Sequence, residues 1–235
     1  MKITTSKSIH EILEEFLTEQ QARLSSKTYL GYEEAISFFR MYLNNFGHQH
    51  LNRAETKRYE KLEASENKQF WEIFGPEHLS SSEISDFLAD FMVRKVAGSR
   101  TLTETTGRVM YKLVKWLHEK GYMSDKEYGE AAKNVKELKA DLPAVGELTD
   151  LIFDYVQRHP VETQYTSDLD AYFKIVKIEP GKLWLEDYLE PGKRIGPVIV
   201  PEEISSKCKV GWTASLWVAK TGKVWRILES GNMYP

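Results

Sequence analysis

The chain has 235 residues, 41% of them hydrophobic and 29% charged, with a formal net charge of −3; this excludes a disordered polymer and gives length enough for two small domains, each with its own core. A single cysteine, Cys208, excludes an internal disulfide and a cysteine-built zinc site. No apolar run approaches the about 18 residues a membrane span needs, and the start MKITTSKSIHEILEEF lacks the apolar stretch of a secretory leader, so the expectation is a cytoplasmic protein with no membrane partner.

The first 157 residues read as helices, because apolar residues recur every three or four positions behind polar caps. Ser8 with Glu11 forms a capping box for a helix over 8–23, with Ile9, Ile12, Leu13, Phe16 and Leu17 on one face. Ser25 to Thr28 opens a second over 26–46, ending near Gly47. The charged stretch 52–74, with Tyr59, Leu62, Phe70 and Ile73 as its repeated apolar anchors, reads as an inserted, mostly exposed helix. Ser80 with Glu83 starts another helix that stops at Gly98, and Thr101 with Glu104 starts the next, with Val109, Leu113, Trp116 and Leu117 inward and Gly121 beyond its end. Ser124 with Glu127 begins a helix through Leu138, and Val145, Leu148, Ile152 and Tyr155 suggest one more before His159-Pro160.

From about Ala171 the pattern changes to short runs rich in Val, Ile and aromatics, separated by Glu179-Pro180-Gly181-Lys182, Glu190-Pro191-Gly192-Lys193 and Lys220-Thr221-Gly222-Lys223. Five strands are expected, at 173–178, 183–188, 198–200, 213–219 and 224–228, closing as a small SH3-like or OB-like β barrel. The fold class is therefore α+β: a four-helix-type bundle in 1–140 with an insertion at 52–74, an acidic linker helix in 141–168, and the barrel in 169–235. Trp184, Tyr188, Trp212, Trp217, Trp225 and Tyr234, with Lys182, Lys220, Lys223 and Arg226 nearby, could stack single-stranded nucleic acid. A small barrel needs large side chains to fill it, so Trp217 and Trp225 are assigned to its core.

Charge is unevenly spread. Residues 1–140 hold 21 bases and 21 acids, 141–169 one and six, and 170–235 ten and eight. Between Val93 and Lys126 eight bases face three acids, a local +5 that suggests a phosphate-facing strip. Helix starts add free N–H groups and a positive dipole end. Lys27 and Thr28 open the second helix; Arg94, Lys95, Arg100, Thr101 and Thr103 cluster around the start of the later one, and Arg108, Lys112 and Lys115 recur along its flank. These ten residues are the candidate DNA contacts.

The order of features in 8–122 resembles the amino-terminal, SAM-like core-binding domain of tyrosine recombinases, the phage integrase family. The residues that carry the resemblance are Ser25-Ser26-Lys27-Thr28-Tyr29-Leu30-Gly31-Tyr32, the helix from Leu79 to Leu88, and Ser99-Arg100-Thr101-Leu102 leading to Val114-Lys115-Trp116-Leu117 and Gly121-Tyr122. The resemblance implies a helical clamp on double-stranded DNA. A recombinase also needs a helical catalytic domain, for which the mostly β remainder leaves no room. His50-Leu51-Asn52-Arg53 matches its His-x-x-Arg but falls in the wrong part of the chain. Cys208 lies between Lys207 and Lys209, which would favour thiolate, yet no base motif accompanies it. His48 and His50 lack a third metal ligand at a diagnostic spacing. The expectation is a non-enzymatic, integrase-like DNA-binding protein without cofactor or metal, an accessory or regulatory factor of DNA recombination. The alternative is an adaptor that grips a protein partner through its aromatic-rich β domain.

Overall fold

Local capping sets where the first helices begin. In the structure, a computed structural model that describes residues 7–95, 100–161 and 164–235, α1 (Ile9–Gln21) starts at a full capping box between Ser8 and Glu11. Ser25 caps α2 (Ser26–Phe46) and Asn52 caps α3 (Arg53–Glu66), while α4 (Phe70–Ile73) is a single turn. Behind the Ser80–Glu83 box, α5 (Ser81–Asp86) passes through a wide π turn at Phe87–Phe91 into α6 (Met92–Lys95). α7 (Arg100–Glu119) and α8 (Asp125–Arg158) complete the helical part. Gly98, Ser99 and Val96 lie outside the described residues. Thr101 is one residue inside α7, which already includes Arg100.

Two units divide the chain, one from 1–92 with 101–139 and one from 93–100 with 140–235. In the first, Phe16, Ile36, Phe39, Leu43, Phe87 and Leu113 are fully buried. Each such side chain contributes about 1.5–3 kcal/mol by leaving water, and rings interlock, as where Phe39 meets Phe87 at 5.0 Å. The insertion expected at 52–74 is mostly exposed and is anchored through Tyr59, Phe70 and Ile73, but it is two helical pieces and not one helix. Phe70 and Phe74 are 1% and 2% exposed, the Ile9 amide donates to the Phe74 carbonyl at 2.8 Å, and the Phe70 ring packs under Gly47. Spacing of four residues puts both phenyl rings on one side of a short turn, so the second part of 52–74 belongs to the core; α3 alone keeps the exposed character, with Tyr59 as its buried residue.

The helices expected at 124–138 and around 145–155 are one helix of 34 residues with Pro143 inside it. A proline removes one backbone hydrogen bond; Leu142 and Val145 on either side are 2% and 1% exposed, and their packing offsets that loss. The segment expected as an acidic linker is likewise structural. Val145, Leu148, Ile152 and Val156 enter the hydrophobic core of the second unit together with Phe173, Leu185, Val198, Leu216 and Ile227.

The second unit has β1 (Ser167–Glu179), β2 (Lys182–Asp187), β3 (Arg194–Ile199), α9 (Glu202–Lys207), β4 (Thr213–Thr221) and β5 (Val224–Tyr234). The strands neighbour one another in the order β1-β2-β3-β5-β4, and β4 pairs back to β1. Four ladders are antiparallel, whereas β3 runs parallel to β5 and meets it at one residue pair, Val198 with Trp225. These pairings close the five strands into a small barrel of mixed pairing, in which the β3–β5 seam is parallel and the shortest of the five. The short helix α9 between β3 and β4 is an addition to the elements expected from the sequence.

Alternation along β4 turns Ala214, Leu216 and Val218 inward, so Trp217 points outward, where its Nε1–H donates to Asp168 Oδ2 at 2.8 Å. The assignment of Trp217 to the core is therefore corrected. Trp225 is half-buried against the core and Trp212 is buried. Trp184 lies under the Lys177 ammonium, 4.3 Å from its ring centroid.

Candidate nucleic-acid interface

α7 is amphipathic in the strict sense. Val109, Met110, Leu113, Val114 and Leu117 are buried on one side, and Thr101, Arg108, Lys112 and Lys115 are exposed on the other. At 3.6 residues per turn those four positions fall within an arc of about 60° and span about 21 Å along the axis. Thr103 projects from nearly the opposite side of the helix, so it leaves this stripe.

α2 joins the stripe through a close approach. A Cβ at Gly31 would lie 2.9 Å from Thr105 Cγ2, so only the missing side chain lets the two helices touch there. Thr105 Oγ1 in turn accepts from Arg108 Nη2 at 3.0 Å, which orients the guanidinium. One turn before Gly31 stand Lys27 and Thr28, both exposed. The Thr28 hydroxyl lies 3.0 Å from Ser25 Oγ, which also accepts the Thr28 amide at 3.4 Å; Thr28 thus serves the cap first. Lys27, Arg108 and Lys112 carry no ion pair among the described residues, and Lys115 pairs with Glu119 at 3.4 Å across one exposed helical turn, an interaction worth little in water.

The other bases of the +5 strip differ in unit or in pairing. Arg94, Lys95 and Arg100 belong to the second unit, where Arg100 stands 3.8 Å from Glu147. Lys120 is held by Glu15 and Glu19, and its ammonium is pushed to higher pKa chiefly by the Glu19 hydrogen bond. Glu19 also accepts from Trp116 Nε1 at 2.7 Å, which leaves this part of α7 tied to α1. One base was missed: Lys139 of α8 is exposed, packs beside the buried Gly107 and reaches the Tyr111 ring at 5.8 Å. No local signal marks it, since its partners on α7 lie about thirty residues upstream; a glycine inside an otherwise regular helix was the available hint of close packing.

Candidate chemistry elsewhere is weak. Cys208 is buried and its thiol is pushed up to about 12 by desolvation. Lys207 binds Glu147 at 2.6 Å and Lys209 binds Asp141, so the influence the flanking lysines could have had on the thiol is spent on carboxylates. His48 stacks on Tyr59 and His50 faces Asp86 at 3.7 Å. No metal-binding group of three or more His, Cys, Asp or Glu occurs among the described residues, and no helix among them is long and apolar enough to cross a membrane.

No family model, curated protein or solved structure matches the chain.

Proposed function

We propose that the protein binds double-stranded DNA without acting on it chemically, through the exposed stripe of α7 and the start of α2. The observation that carries this reading is the line of Arg108, Lys112 and Lys115 on one arc of α7, with Lys27 brought alongside by the Gly31–Thr105 approach. Such a line suits phosphate oxygens and carries little base information, so affinity rather than sequence choice is its contribution. An accessory or regulatory role in site-specific recombination is supported by the order of the motifs alone.

The test is fluorescence polarisation of a labelled duplex with the full chain between ~50 and ~200 mM salt. Replacing Arg108, Lys112 and Lys115 by alanine should weaken binding and flatten the salt slope by about 0.9 for each phosphate that is no longer neutralised. Absence of duplex binding at ~50 mM salt, or binding indifferent to the triple replacement, overturns the proposal.

A second reading, an adaptor acting through the second unit, is favoured by the exposure of Tyr188 and Leu189, 63% and 82%.

A further inference from the structure

The outer face of β1, β4 and β5 combines aromatic rings with carboxylates. Phe173 on β1 and Ala214, Leu216 and Val218 on β4 point into the core, so Asp168, Asp170 and Tyr172, and likewise Ser215 and Trp217, point out. Strand register then sets Asp170 beside Trp217 on one side and Glu229 beside it on the other. Asp168 accepts the indole N–H at 2.8 Å. Two residues along β4, Ser215 is opposite Tyr172, and Gly231 packs so close that a Cβ there would lie 3.1 Å from the Ser215 Cβ. These two small residues form a low floor. Tyr172 and Tyr234, with ring centroids 5.9 Å apart, wall it on one side, and Trp217 stands about 7 Å away along the strand on the other.

We infer that this recess binds a cationic side chain, arginine or lysine, presented by a partner polypeptide. The inference rests on the adaptor reading of the second unit and names what that unit grips. Ring faces attract cations through their quadrupole, and the flanking Asp170 and Glu229 have no ion pair among the described residues. Lys174 stands in register with Thr213 and Tyr234, and Arg226 with Ala219 and Asp168, so one base borders the face at each end while the row of Asp170, Trp217 and Glu229 carries the carboxylates. A phosphate-bearing ligand is disfavoured at the same place, since three carboxylates would repel it; this is why a stacked nucleic-acid strand does not fit the face although the rings alone would suit one.

The test uses the full chain labelled with ¹⁵N. The indole resonance of Trp217 is assigned as the one of six that vanishes in Trp217→Phe. A glycine-serine decapeptide with a central arginine is titrated against versions with leucine or glutamate in its place. The Trp217 indole and the Tyr172 amide should move saturably with arginine, less at high salt, and hardly with the other two. Asp170→Asn and Glu229→Gln, on the strand surface and compatible with an unchanged spectrum elsewhere, should each weaken binding about twofold to fivefold. An equal response to the leucine peptide overturns the inference while the adaptor reading stands. Silence of the whole face towards all three peptides at ~10 mM overturns the inference and leaves the adaptor reading, which rests on Tyr188 and Leu189, standing, and displacement by oligothymidylate in place of the arginine peptide overturns the choice of ligand.

Discussion

Truncation of Leu148 to alanine distinguishes a helix that belongs to the β unit from a linker that only leads to it. Leu148 is fully buried within the core formed with β strands of the second unit, and the next residue, Thr149, accepts the Met233 amide at 3.0 Å through its hydroxyl. Removal of three carbons from such a site forfeits their transfer free energy and leaves a cavity whose walls relax only in part. The expected destabilisation is about 2–5 kcal/mol, a large share of the about 5–15 kcal/mol that separates folded from unfolded states. Urea unfolding followed by near-ultraviolet circular dichroism reads the packing of tryptophans, and the buried Trp212 belongs to this core. Asp150→Ala, on the exposed side of the same helix, is the companion control and should change stability by less than about 0.5 kcal/mol. A Leu148→Ala loss as small as that of the control would refute the assignment of residues 145–156 to the core.

Two further outcomes follow from the electrostatics. Cys208, with a thiol pushed up to about 12 by burial, should resist iodoacetamide at pH 8, where only about one molecule in ten thousand would carry the thiolate, and react freely once the chain is unfolded in urea; rapid native labelling would show the site to be open. Glu19 is held below the ordinary carboxylate range, first by its hydrogen bond from Lys120 and then by that from Trp116. A lowered pKa means that the folded state prefers the carboxylate, so the contribution is present above the ordinary range and is lost as pH falls through the folded value. Glu19→Gln should therefore be less stable than the parent near neutrality and converge with it in acid, as measured by thermal unfolding at several pH values; a difference that persists in acid would point to packing.

Elements governed by neighbouring residues were legible. Ser8, Ser25 and Ser80 each cap the helix they were expected to open, because a cap is settled within four residues. The Pro180-Gly181 and Thr221-Gly222 turns fixed the ends of the hairpins they join, whereas β1 starts at Ser167 and not at 173, and β3 at Arg194 and not at 198. Trp217 shows a signal that was present but outweighed: it shares strand parity with Thr213 and Ser215, the polar side of β4, and side-chain size suggested the opposite. In the candidate site, Arg108, Lys112 and Lys115 were legible as one flank because helical spacing is local, whereas Lys139 was not.

Sequence alone therefore determined the order of the helical and strand regions, where most of the helices start, and which face of α7 is charged, since all of these depend on residues a few positions apart; it did not show α9 or the continuity of α8. Tertiary structure decided what lies far apart in the chain. It carried α8 across Pro143 into the second core, paired Lys207 with Glu147 and Lys209 with Asp141 so that Cys208 stays a buried thiol, and assigned Arg94, Lys95 and Arg100 to a different unit from Arg108. Register between β1, β4 and β5 gathered Asp170, Trp217 and Glu229 on one face. The physical reason is common to all: burial and ion pairing are properties of neighbours in space, and a one-residue change of strand register would exchange every inward side chain for an outward one.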